Sequence, residues 1–139
     1  MNFLLDTNVV SEPTRPRPNQ GLLAWLASVD EESVFISTVT ISELRYSVER
    51  LSAGRRRTRL DSWLRNDLLL RFEGRVLPVD IEVADACGRL TAQSESQGRS
   101  IEGRDAFIAA TAEVHGLTLV TRNAPDFKAV LKSVLTPWT

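Results

Sequence analysis

The chain holds one cysteine, one histidine and no apolar run of 18 residues, and each shortage closes off a class of function. Cys87 alone forms no internal disulfide, and its spacing with Val83, Ala84 and Leu90 places it on the apolar face of a helix as a small core residue. His115 alone supplies neither a His-centred triad nor a zinc ligand set, and it precedes Gly116 where a helix is expected to end. Without a long apolar run no membrane-spanning helix is expected. The N-terminus has no basic segment leading into a secretory hydrophobic region, which predicts a cytoplasmic protein. Aromatic residues make up only 6% of the chain. Trp25, Trp63 and Trp138 read first as core or interface residues, with stacking on bases as the second reading.

What is present suits one globular domain over residues 1–139: 42% of residues are apolar and 25% charged, enough for a sizeable core. Short apolar runs alternate with helical patterns. "NFLL", "SVFIS" (33–37), "RVLPV" and "LTLVT" (117–121) read as strands, and "SVLTP" (133–137) as an edge strand. The piece "EPTRPRPNQG" (12–21) reads as a loop, because three prolines in six residues cannot continue a helix. "GLLAWLASV" reads as a helix, and further helices are expected over about 82–97 and 104–115. Pro125 suits the first turn of another. Ile41, Leu44, Val48 and Leu51, then Leu60, Trp63, Leu64 and Leu68, mark two helical faces joined at "SAGRRR", a helical hairpin around residues 41–70. This alternation predicts an α/β fold, a central parallel β-sheet flanked by helices on both faces.

The net charge of −1 conceals an uneven distribution. Eight arginines between Arg50 and Arg75 stand against Asp61, Asp67 and Glu73, a local balance of +5, which leaves −6 on the rest of the chain. A basic segment beside an acidic remainder suits a protein that guides a polyanion toward an acidic, metal-holding centre, although a solvated helical surface explains the arginines equally well.

Four acids stand where an open parallel sheet gathers ligands, at the carboxyl ends of its strands. Asp6 follows the first strand, Glu43 the second by a few residues and Asp126 the "LVT" strand. Asp105 opens the helix that runs back into that strand. Each has an ordinary explanation alone: Asp6 or Asn8 as a helix cap, Thr40 to Glu43 as a capping box, Asp105 and Asp126 as first-turn acids. Together on one edge they would repel one another unless a cation neutralises them. All-oxygen ligands select a hard ion, Mg²⁺ or Mn²⁺, and such an ion typically meets a phosphate.

"LLDTNVVSE", "TVTISELRYSV", "GRDAFIAATA" and "LTLVTRNAPDF", in this order and spacing over nearly the whole chain, resemble the signature segments of the PIN-domain ribonucleases, in particular the VapC-type toxins of bacterial toxin-antitoxin pairs. The proline-rich loop, the basic hairpin and the ending "LTPW" are similar to the FitB-like branch. The resemblance implies a single PIN domain and a metal-dependent endoribonuclease. Asp6 and Asp105 would be the principal Mg²⁺ ligands, with Glu43 and Asp126 acting directly or through waters, and Thr7, Asn8, Thr121 and Asn123 orienting the carboxylates. It further implies homodimers, alone or paired within a complex with a cognate antitoxin that blocks the site, and contact with operator DNA only through that complex. Arg55, Arg56, Arg57 and Arg59 are placed to meet an RNA backbone. Glu102 and Arg104 depart from the family pattern, in which small residues or proline commonly precede the third acid.

Two other functions remain open at this level. A phosphatase of the haloacid dehalogenase kind also places an Asp after its first strand but needs a second Asp two residues later, where this chain has Asn8. A non-catalytic module binding antitoxin and DNA would not need all four acids.

Overall fold

The computed structural model describes all residues, Met1–Thr139. Five parallel strands stand in the order β3-β2-β1-β4-β5. Chain order begins with β1 (Phe3–Leu5), α1 (Thr7–Ser11) and α2 (Gln20–Ser28), then β2 (Val34–Ser37) and α3 (Thr38–Glu49). One continuous helical arm follows, made of α4 (Arg55–Ser62), a π-helical segment (Trp63–Leu68) and α5 (Leu69–Arg71). β3 (Val76–Leu77), α6 (Ile81–Ser96), α7 (Gly103–His115), β4 (Thr118–Val120), α8 (Ala124–Phe127) and β5 (Val134–Leu135) complete the chain.

Side chains alternate across a strand, so the consecutive apolar residues of β1 and β4 serve both faces of the sheet. Leu5 and Val120 join one core with Leu22, Ile36, Leu44, Leu64 and Phe72, whereas Leu4 and Leu119 join the other with Leu90, Ile108 and Phe127. This two-sided burial is why the strands read as unbroken apolar runs. Phe3 meets Trp25 edge-on, ring centres 5.0 Å apart, and locks α2 onto the first core. Small residues of α7 (Ala106, Ala109, Ala110, Ala112), all essentially inaccessible, let that helix pack closely. It ends at Gly116, whose φ of 64° suits a left-handed cap that a side chain would strain.

Several boundaries differ from the sequence reading, and within the piece read as a loop Glu12–Thr14 winds as one 3-10 turn with Pro13 near its start. Gln20 belongs to α2 rather than the loop, because the Asn19 side chain accepts the Leu22 N–H at 3.1 Å and caps the helix there. The helix α3 begins at Thr38, three residues before the hydrophobic face starts. Its cap is the Ser37 hydroxyl, which accepts the Val39 N–H at 3.0 Å, so Thr40 to Glu43 is not a capping box and Thr40 turns inward. Leu51 lies beyond the end of α3, in the turn of the hairpin.

The strand order reverses at β1. The chain first builds β2 and β3 on one side and then returns to add β4 and β5 on the other. The carboxyl ends of β1 and β4 therefore meet at a topological switch point, the place where open α/β sheets bind their ligands.

Candidate active site

Asp6 is the first residue past β1. Its backbone N–H still donates to the Val120 carbonyl at 2.9 Å, while its side chain already caps α1. Oδ1 accepts the Thr7 N–H at 2.7 Å. Oδ2 accepts the Thr121 hydroxyl at 2.7 Å and the Asn8 side-chain amide at 3.3 Å. The residue is 5% exposed. Burial raises its carboxyl above the ordinary aspartate range despite these donors, and the negative charge of Asp126 adds to the rise.

The remaining polar groups fix that arrangement. Asn8 Oδ1 accepts the Arg122 N–H at 3.1 Å, and Thr121 Oγ1 accepts the Asn123 N–H at 3.0 Å, which ties the β4 exit to the β1 exit. Asn123 therefore contributes its backbone here, its side chain being exposed. The Thr7 hydroxyl donates to Glu43 Oε1 at 2.9 Å and lies 3.1 Å from Thr40 Oγ1. Thr40 is a participant that the sequence reading treated only as a cap; the available signal was its place one turn before the buried Leu44.

Glu43 is half-buried, one turn into α3, and burial followed by the charge of Asp6 pushes its carboxyl up against the lowering effect of Thr7. Asp105 stands in the first turn of α7, whose cap is Glu102, accepting the Arg104 N–H at 3.2 Å. Its carboxyl is raised to about 6, first by burial and then by the charges of Asp6, Glu102, Glu43 and Asp126. Asp126 is exposed in the first turn of α8. Asp105 thus lies within electrostatic reach of the other three acids, and Asp6 within reach of Glu43 and Asp126.

None of the four takes part in an ion pair; the bridges of the molecule use Glu12, Glu31, Glu49, Asp61 and Glu113. Arg104 lowers the Glu43 carboxyl but its guanidinium stacks over the Tyr46 ring, 5.3 Å from the centre, rather than closing on an acid. No three His, Cys, Asp or Glu side chains converge into a ready-made cage. An all-oxygen donor set carrying uncompensated negative charge fits a hard divalent cation, which would draw the carboxylates together and relieve their repulsion. Asp6 and Asp105, with Glu43 and Asp126 around them, are the residues that would hold it.

The hairpin arginines divide. Arg57 is held by Glu49 at 3.2 Å and by the Leu51 carbonyl at 3.1 Å, closing the turn. Arg55, Arg56 and Arg59 form no ion pair, and Arg56 shares the wall of one cavity with Thr7. Cys87 packs against the second core, and burial pushes its thiol up, away from reactivity. No helix is long and apolar enough to cross a membrane.

Comparison with known proteins identifies the fold and the family. The PIN domain family matches residues 3–131. The chain is 42% identical over 136 residues to toxin FitB of Neisseria gonorrhoeae, covering 98% of each chain. It is 36% identical to a VapC ribonuclease of Sinorhizobium fredii, covering 98% of this chain and 97% of that one. The solved structure of FitAB bound to a DNA fragment superposes with a TM-score of 0.93 at 39% identity, covering 99% of this chain and 96% of that one. With its parallel sheet, its acid-lined switch point and full-length likeness to these proteins, the chain belongs to the PIN-domain family, in the branch of the FitB and VapC toxins.

Proposed function

We propose that this protein is a Mg²⁺- or Mn²⁺-dependent endoribonuclease, the toxin of a toxin-antitoxin pair. The observation that carries the reading is the cluster of Asp6, Glu43, Asp105 and Asp126 at the β1 and β4 exits, with no cationic side chain bridged to it. PIN-domain nucleases generally use divalent ions. The relatives' names, toxin and ribonuclease, support RNA as the substrate.

Hydrolysis requires a water to attack phosphorus while the bond to the leaving sugar oxygen breaks. Asp6 and Asp105 would hold a divalent ion, which when bound would lower the pKa of the attacking water and neutralise charge on the phosphate. Thr121 and Asn8 keep the Asp6 carboxylate aimed at the crevice, and Thr7 holds Glu43 toward the same point. Glu43 and Asp126 act directly or through waters. Arg104, poised on Tyr46, offers positive charge at the rim where a phosphate oxygen arrives. Arg55, Arg56 and Arg59 steer the RNA backbone in.

The protein works as a homodimer and is silenced by an antitoxin covering the site; DNA binding belongs to the joint complex, as in the DNA-bound FitAB structure. A haloacid dehalogenase-type phosphatase is disfavoured because Asn8, where that chemistry needs a second acid, donates its amide to Asp6. The test is incubation of purified protein with structured RNAs and Mg²⁺ or Mn²⁺. Cleavage absent from an Asp6→Asn control is expected, and cleavage no greater than that control overturns the reading.

A further inference from the structure

Beside the acid crevice lies a cavity of about 210 Å³ between α1, α3 and the second arm of the hairpin. Leu60 and Trp63 supply apolar lining, Ser47 a hydroxyl, and Arg15 and Arg56 two guanidinium groups. Thr7 lines the cavity and also donates to Glu43 at 2.9 Å, so the wall of the one space is the edge of the other. Pockets for drug-sized ligands begin at roughly 300 Å³, and this smaller one suits a single planar group.

The helix that carries Trp63 is unusual at that residue. From Trp63 to Leu68 it winds as a π-helix, wider than the α-helical arm before it. π-Turns are rare and concentrate at functional sites, where they re-aim side chains. Trp63 begins this turn, is half-buried against the first core and lines the cavity. Arg56 forms no ion pair, and Arg15 is held only by its neighbour Glu12 at 3.5 Å.

We propose that this cavity is a nucleobase subsite. It takes the base of the nucleotide next to the cleaved phosphate, stacked on Trp63, with Arg15 and Arg56 on the flanking phosphates. A base turned out of a single strand offers a flat apolar face, a polar edge and an attached anion, and the cavity offers an aromatic and aliphatic lining, a hydroxyl and two guanidinium groups. An apolar protein segment would match the Leu60 and Trp63 lining but leave Arg56 without a partner. The inference rests on the ribonuclease reading and adds to it how the enzyme selects a position along the RNA.

The test uses Asp6→Asn protein, expected to bind RNA without cutting it, and short single-stranded RNAs bearing one 2-aminopurine at successive positions. Binding is read by anisotropy in Mg²⁺, and base insertion by the fluorescence of the analogue. One position is expected to change its emission on binding. Ser47→Trp, which fills the cavity from its rim, and Trp63→Leu, which keeps apolar bulk without the ring, should each weaken binding roughly 5- to 150-fold, the range of one base-aromatic stack. An abasic nucleotide at the responsive position should make the parent and Ser47→Trp bind alike. Thermal unfolding verifies that both variants are folded. Ser47→Trp protein that binds RNA as tightly as its parent overturns the subsite alone. If it also loses its cognate antitoxin, the cavity belongs to the protein partner. A parent that binds no RNA overturns the subsite and the ribonuclease reading together.

Discussion

The hydroxyl of Thr121 donates to the carboxylate of Asp6 at 2.7 Å, joining residues 115 positions apart in the chain. It is the link that turns two strand exits into one site. Thr121→Val keeps the shape and removes the donor. Metal affinity, measured by titrating cleavage with Mg²⁺, should fall about 10- to 100-fold, as for other residues that orient metal ligands. The buried carboxylate left short of a donor should also cost about 1–3 kcal/mol in chemical denaturation. Unchanged Mg²⁺ dependence would remove the orienting role from Thr121.

Metal-free protein should lose stability as the pH rises from about 4 to 6. The Asp105 carboxyl titrates at about 6 in the folded chain against 3.8 in the unfolded one. The folded state therefore binds the proton more tightly, and its contribution is complete below the unfolded value and gone above the folded one. Burial and like charge raise Asp6 and Glu43 in the same direction. Glu31 and Asp61, lowered by their arginine partners, act oppositely but at lower pH. Melting temperatures in EDTA across this range provide the measurement, and Asp105→Asn should flatten the curve.

Adding the ion at pH 7 should reverse that loss. Binding to the folded state alone stabilises by about 2.7 kcal/mol at a hundred times the dissociation constant. The melting temperature should rise with Mg²⁺ or Mn²⁺ in the parent and scarcely move in Asp6→Asn. An equal rise in both proteins would place the ion elsewhere.

Arg55, Arg56 and Arg59 should behave unlike Arg57. Replacing each of the first three by Ala should weaken RNA binding and lower the slope of log affinity against log salt by roughly 0.7 per lost contact. Arg57 is already engaged by Glu49 and the Leu51 carbonyl. Its replacement should leave the slope unchanged while loosening the turn, which hydrogen exchange of residues 50–57 would report.

Gly21→Ala should destabilise the protein although alanine is the better helix former by about 1 kcal/mol. An added Cβ would stand 2.3 Å from Thr139 Cγ2 and 2.7 Å from the Pro137 carbonyl oxygen. It would displace Thr139, whose carbonyl accepts the Asn19 amide at 3.0 Å and whose N–H donates to Asn19 Oδ1 at 3.2 Å. A net loss of about 1–3 kcal/mol is expected, the usual range for overpacking.

The strands and the helical hairpin were legible in the sequence because hydrophobic periodicity is local. A strand buried on both faces, such as Phe3–Leu5, needs a continuous apolar run whatever it pairs with. Capping was harder to read. Ser37 and Thr40 are both competent caps, and only the extended backbone at the end of β2 chooses Ser37. The partner of Arg104 was likewise hidden, since acids and an aromatic ring compete for it and the packing of α7 against α3 brings it over Tyr46. The π-turn at Trp63 has no local signature of this kind.

Local pattern thus sets where the strands and most of the helices lie and which of their faces are apolar, and it puts Asp6 directly past β1. Only the tertiary structure decided that β1 lies between β2 and β4, so that Asp6 meets Thr121, Thr7 meets Glu43, and a cavity opens beside them. The physical reason is one of range. Periodicity and turn chemistry act over a few residues, whereas strand order follows from contacts spanning the chain, and the crevice exists only where that order reverses.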